Sequence, residues 1–275
     1  MIPYSQKLNQ SILNSNSLLC LGLDPDLEKI PHHLLETEDP VFEFCKAVIE
    51  ESASSVCAYK LNIAFFAALG ERGWSTMRRV LSVIPSGVVT IADAKVGDIG
   101  NSSEKWASTY LDEFAFDSIT VSPYMGTDSV EPFIRRPGKG AFLLALTSNP
   151  GSADFQVQRL DDGRSLYESV IDQASAWNKH GNLGIVTGAT RSDQLKSIRN
   201  RVPDMVFLIP GIGAQGGDLK ETLANSLDKY RRGVLINVGR DILYASRDEN
   251  FRASVAKRTG DYVAAINKVR FTITV

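Results

Sequence analysis

Three features of the chain predict an α/β fold, a (β/α)8 TIM barrel with an extra N-terminal helix. Eight short runs rich in Val, Ile and Leu recur at intervals of about 25 to 40 residues. Their polarity barely alternates, as expected of parallel strands covered on both faces. Polar residues gather at their C-terminal ends, which in a barrel share one rim, where the chemistry sits. At 275 residues the chain has the usual size for such a barrel, and residues 1–275 are read as a single catalytic domain.

The elements follow in order. "YSQKLNQSIL" near the start reads as a helix closing the barrel floor. The strands are "LLCLGLD" (18–24), "VCAYKLN" (56–62), "GVVTIADAK" (87–95), "SITVSP" (118–123), "AFLLALTS" (141–148), "LGIVTGAT" (183–190), "MVFLIPG" (205–211) and "GVLINVGR" (233–240). Helical period fills the intervals: in "DPVFEFCKAVIEESAS", Val41, Phe44, Cys45, Val48 and Ile49 share a face. "SSEKWASTYLDEF" and "SLYESVIDQASAWNKHG" behave alike, and the last segment repeats Phe251, Val255, Tyr262 and Ile266. An open doubly wound sheet usually has fewer strands and a G-x-G-x-x-G turn after the first, whereas here that strand runs into "DPDLEK".

Bulk properties exclude several classes. A net charge of −2 gives no field favouring nucleic acid or an anionic membrane, so neither is expected as a partner. The apolar run "IAFFAAL" is far too short to cross a bilayer, and the polar N-terminus does not read as a signal peptide. Three cysteines without metal-type spacing fit a reducing cytoplasm better than a disulfide framework. No metal-ligand cluster is visible, and His32, His33 and His180 fall in helical or connecting segments away from the rim.

One stretch stands out. "TIADAKVGDIGNSS" places Asp93, Lys95 and Asp98 within six residues at the end of the third strand. The spacing alone would suit a solvated turn. Its place beside Asp24 and Lys60, which end neighbouring strands, points to a site instead. On a strand, residues 93 and 95 share a face and can both point into the barrel mouth. A lysine beside carboxylates stays protonated, which suits an acid delivering a proton and not a Schiff-base lysine. "PGIGAQGGD" (210–218) and "NVGRDI" (237–242) follow the last two strands, where barrels often bind phosphate. Their glycines, Gly239 among them, admit an anion to the backbone N–H groups, and Arg240 can clamp it bidentately. "TSNPG" (147–151) is either an ordinary turn or a ligand-contacting loop, leading into the polar stretch "SADFQVQRLDDGR".

In their order and spacing, "LGLDPD", "YKLNIAFF", "DAKVGDIG", "TSNPG", "GIGAQGGD" and "NVGRD" resemble orotidine 5′-monophosphate decarboxylases, the last enzymes of pyrimidine nucleotide synthesis. "DAKVGDIG" is the most specific block, and the length with the "TSNPG" and "GAT" stretches looks like the longer bacterial subgroup. The resemblance implies a cofactor-free homodimer acting on a small nucleotide. Lys60, Asp93 and Lys95 would form a charged network completed by Asp98 of the other subunit, with Ile99 lining the pyrimidine pocket from the same side. Asp24 and Lys60 would hold ribose hydroxyls, and Ser102 would touch the ribose where the family usually has Thr. Ser148 would bond the pyrimidine ring, and Gln215 and Arg240 would grip the 5′-phosphate. The implied chemistry is loss of CO2 from C6, with Lys95 stabilising the carbanion and protonating it and Asp93 near the departing carboxylate. Two rivals remain: a Mg2+-dependent phosphosugar decarboxylase or aldolase of the same superfamily, and a catalytically silent phosphate-binding barrel. The concentration of like charge at the rim speaks against the second.

Overall fold

The computed structural model describes residues 2–189, 192–212 and 218–273. Eight parallel strands close into a barrel in chain order: β1 (Leu19–Leu23), β2 (Ala58–Asn62), β3 (Val89–Val96), β4 (Ser118–Val121), β5 (Gly140–Leu146), β6 (Leu183–Thr187), β7 (Phe207–Pro210) and β8 (Val234–Val238). β8 returns to β1 with Leu19 opposite Ile236. Each predicted apolar run coincides with one of these strands; six contain it whole, while β3 runs one residue past its run, to Val96, and β5 begins one residue before its run, at Gly140. β1, β4 and β6 are buried throughout, which is why their sequences show no alternation.

Helices cover the outside. α1 (Tyr4–Ser15) and α2 (Pro40–Ser52) match the predicted segments. α2 begins with Asp39 as N-cap, accepting from Phe42 N, and proline at its first position, both favourable there. Two helices, α3 (Ile63–Ala67) and α4 (Glu71–Val83), follow β2. α5 (Gly100–Ala107) runs directly into a π-helical turn at Ser108–Glu113, so the predicted helix "SSEKWASTYLDEF" is wider-wound in its second half. α6 (Thr127–Ile134), α7 (Leu166–Trp177), α8 (Ser192–Arg201), α9 (Leu219–Ser226), the short α10 (Arg240–Leu243) and α11 (Phe251–Thr272) complete the layer. No helix among the described residues is long and apolar enough to cross a membrane. His32, His33 and His180 are exposed.

The floor is built by α1, as its amphipathic sequence predicts. Tyr4 is buried, donates to Ser118 Oγ at 3.1 Å and meets Phe142 edge-on. A Cβ at Gly140 would stand 2.4 Å from the Tyr4 ring, so only glycine fits beneath it. Lys7 pairs with Asp117 at 2.5 Å, and the same carboxylate accepts from the N–H and hydroxyl of Thr90. The floor is therefore fastened to β3 and β4, and the open end of the barrel lies opposite.

Candidate active site

The strand ends enclose a cavity of about 450 Å³ at the opposite end from α1. Asp24 leaves β1, Lys60 and Asn62 end β2, and Asp93 and Lys95 lie in β3; all five line it. The charges alternate. Lys95 Nζ lies 2.5 Å from Asp93 Oδ1, Lys60 Nζ lies 2.6 Å from Asp93 Oδ2, and Lys60 lies 4.0 Å from Asp24 Oδ1. The two lysines differ in reach. The Lys60 side chain is 6% exposed, whereas that of Lys95 is 52% exposed. Lys60 is the buried counter-charge, and Lys95 presents its ammonium to the cavity.

Burial and charge compete in this row. Burial works against the charge of Lys60, but Asp24 and Asp93 outweigh it and raise its pKa above the usual lysine value. Burial also opposes ionisation of Asp93, yet the two lysines hold its pKa down to about 2. For Asp24, burial wins, aided by the neighbouring Asp93, and its pKa is raised. Asp24 Oδ1 is buried and makes no hydrogen bond, which leaves an acceptor at the cavity wall.

The backbone beneath Lys95 is not that of a plain strand. Lys95 has φ of 50°, in the left-handed region, which costs a residue with a side chain about 1–3 kcal/mol and persists only where its surroundings impose it. Lys95 and Asp93 both reach the mouth, as the strand pattern predicts, but through a break in register between β3 and β4.

On the far wall, the chain leaves β5 at Thr147 and Ser148, both lining the cavity. Gln156, from the loop beyond the 3-10 turn Pro150–Asp154, bonds back to this exit. Its Oε1 accepts from Thr147 N at 2.7 Å and its Nε2 donates to Thr147 Oγ1 at 2.9 Å. Behind Ser148 stands Gly188, where a Cβ would lie 2.8 Å from Ser148 N and Cβ. Asn62, with no role assigned from sequence, caps α3 through Oδ1 to Ala64 N and also lines the cavity. Gly211, Gly239 and Arg240 complete the wall at β7 and β8, and Arg240 is exposed at the rim.

The cavity thus brings together Asp24, Lys60, Asp93, Lys95, Ser148, Gly239 and Arg240 of the residues singled out from sequence. Asp98, Ile99 and Ser102 are not among its walls. Asp98 turns aside, accepting from Ile99 N at 2.8 Å and Trp106 Nε1 at 3.2 Å. Ile99 is 55% exposed, and Ser102 is exposed in the first turn of α5. Gln215 lies outside the described residues. Thr120, Asn149, Gln156 and Asn237 line the cavity without having been singled out. The one signal available for Thr120 was a hydroxyl set between Ile119 and Val121 in the strand "SITV".

Comparisons with known proteins agree with this architecture. The family model described as orotidine 5'-phosphate decarboxylase / HUMPS family matches residues 17–253. The chain is 46% identical over 272 residues to the orotidine 5'-phosphate decarboxylase of Dehalococcoides mccartyi (strain CBDB1), covering 98% of this chain and 99% of that one. It is 46% identical over 250 residues to the enzyme of the same name from Flavobacterium johnsoniae, covering 90% of this chain and 91% of that one. Among solved structures, Leishmania donovani OMP decarboxylase superposes with a TM-score of 0.86 at 38% identity, covering 98% of this chain and 100% of that one. The chain belongs to the orotidine 5'-phosphate decarboxylase family.

Proposed function

We propose that the row Lys95–Asp93–Lys60–Asp24 is the catalytic and ribose-binding apparatus of this enzyme, completed by Asp98 of a second copy of the chain. Membership of the family makes the protein a carboxy-lyase that converts orotidine 5′-monophosphate to uridine 5′-monophosphate in pyrimidine synthesis. In that reaction the bond from C6 to the carboxylate breaks, CO2 leaves, and its electron pair stays on C6. The carbanion has no conjugated electron sink, so fixed charge must stabilise it. Lys95 would do so and then pass one proton from Nζ to C6, recovering it from solvent. Asp93 would lie near the substrate carboxylate, and Lys60 keeps it ionised. No metal or organic cofactor enters this scheme.

The observation that carries the reading is the contrast between the two lysines of one carboxylate: Lys60 buried and Lys95 half-exposed to the cavity. The Oδ1 of Asp24, which makes no hydrogen bond, offers an acceptor for a ribose hydroxyl. Ser148 would meet the pyrimidine, and Gln215, Gly239 and Arg240 the 5′-phosphate.

A homodimer is part of the proposal. Ile99, Trp106, Tyr124 and Met125 expose large apolar surface on α5 and the loops that follow β3 and β4, beside Asp98. Where exposed apolar side chains adjoin they mark an interaction surface, and a second copy seated there would bring Asp98, Ile99 and Ser102 toward a neighbouring mouth. The three cysteines are free and buried, in keeping with a cytoplasmic enzyme.

The test is direct. Purified protein is given orotidine 5′-monophosphate, with and without a chelator, and the pyrimidine absorbance is followed. Conversion indifferent to chelator and abolished in Lys95→Ala supports the scheme; near-normal turnover in Lys95→Ala removes Lys95 from it. Chelator-sensitive turnover would bring a metal back into consideration. Mixing inactive Asp98→Ala with inactive Lys95→Ala subunits should restore part of the activity. No recovery after proven subunit exchange would remove Asp98 from a shared site.

A further inference from the structure

Three residues of β3 face one residue of β4. The ladder pairs Ala92 with Ile119 and next Val96 with Val121, so Asp93, Ala94 and Lys95 together oppose Thr120. A bulge of this kind leaves backbone groups without ladder partners and re-aims side chains. The N–H of Lys95 is such a group, and Thr120 Oγ1 accepts it at 2.9 Å. A hydroxyl that accepts from an amide still has its own proton to give. Thr120 gives it to Asp93 Oδ1, at 3.1 Å. The same oxygen receives Lys95 Nζ. The contacts close a ring that runs from the Lys95 backbone to Thr120, on to Asp93 and back to the Lys95 side chain. Thr120 is 1% exposed and lines the cavity.

We propose that Thr120 is a positioning residue for the decarboxylation, holding the left-handed backbone of Lys95 and the carboxylate of Asp93 in the one arrangement that aims the ammonium at C6. The proposal rests on the reading of Lys95 as the proton donor. Thr120 acts through Lys95 and Asp93. Without the hydroxyl, the Lys95 N–H has no partner at the bulge, and the backbone is no longer held against its preference for negative φ. The ammonium then loses its aim. Groups proposed to bind ribose and phosphate, Asp24 and Arg240, make no contact with Thr120 in this ring. The loss should therefore fall on kcat and not on KM.

Thr120→Val keeps the shape and removes both hydrogen bonds; Thr120→Ser keeps the hydroxyl. The valine variant is expected to lose about 10- to 100-fold in kcat, the scale set by small misplacements of reacting groups, with KM within about twofold. The serine variant is expected to recover most of the rate. Thermal melts establish that each is folded, and Thr120→Ala replaces the valine variant if that one does not fold. Retained kcat in the valine variant, a loss confined to KM, or equal impairment in the serine variant would each overturn the proposal. Lys95→Ala runs alongside. If it is inactive while Thr120→Val is intact, the inference on Thr120 alone fails. If Lys95→Ala turns over normally, the reading of Lys95 fails and the role of Thr120 falls with it.

Discussion

Tyr244 Oη donates to the backbone carbonyl of Asp24 at 2.7 Å and accepts from the backbone N–H of Asp26 at 2.8 Å. Its ring lies parallel to Phe44 at 5.8 Å. Tyr244 directly follows α10, whose first residue is Arg240. One hydroxyl therefore ties the segment carrying Arg240 to the segment carrying Asp24. Tyr244→Phe is expected to keep the stack and cut the tie. KM for the nucleotide should rise several-fold while kcat changes little, at a stability cost of about 1 kcal/mol for the lost bonds. Steady-state kinetics and a urea titration check both parts, and an unchanged KM would show that the two segments hold their places independently.

The backbone of Lys95 makes a prediction separate from its chemistry. At φ of 50° glycine is at ease and alanine is strained. Lys95→Gly should therefore be more stable than Lys95→Ala by up to about 1 kcal/mol, although glycine is ordinarily the more destabilising of the two. Equal stability, or a lower one for the glycine variant, would mean that the left-handed turn is not kept in solution.

Acid should weaken the fold through Asp93. Its folded pKa of about 2 lies below the ordinary 3.8, against burial and because of Lys60 and Lys95. A depressed carboxylate contributes stability that is complete above the unfolded pKa and fades as pH falls toward the folded one. The contribution is on the order of 2 kcal/mol, present above about pH 4 and mostly gone near pH 2. Stability measured by urea titration from pH 5 to pH 2 should fall more steeply for the wild type than for Asp93→Asn. Parallel curves would place the acid sensitivity elsewhere.

Ser148 is held from two sides. Gly188→Ala would press a methyl group to within 2.8 Å of its backbone, and Gln156→Ala would free the Thr147 N–H that precedes it. Both variants should raise KM for the nucleotide by about tenfold and leave the affinity for ribose 5-phosphate, which lacks the pyrimidine, nearly unchanged. Equal losses for both ligands would point to a general loosening of the mouth.

Much of this architecture was legible because a parallel barrel imposes simple rules. Runs such as "LLCLGL" and "LGIVT" are apolar on both faces because both faces are covered, and a polar group at the end of such a run can only be at a rim. That reasoning locates Asp24, Lys60, Asp93, Lys95 and Arg240. It does not reach the break between β3 and β4, since nothing local in "ADAKV" says that three residues will face one. Thr120 was hidden for the same reason, its importance lying in what sits across from it. Gln156 and Tyr244 act through bonds to segments 9 and about 220 residues away in sequence, and no periodicity records such partners. The place of Asp98 is a different case, because its proposed counterpart is on another molecule.

The way the floor is fastened bears on how the chain is made. Tyr4 and Lys7 find their partners at Ser118 and Asp117, 114 and 110 positions later, and Leu19 waits for Ile236 before the barrel can close. On the ribosome α1 emerges early with nothing to dock on, its apolar stripe of Tyr4, Leu8 and Ile12 uncovered until β4 and β5 arrive. Folding dominated by such distant pairings is slow, and half-made barrels of this kind expose surface that aggregates. For this chain the vulnerable interval is synthesis itself, while the apolar stripe of the first helix has nothing to cover it.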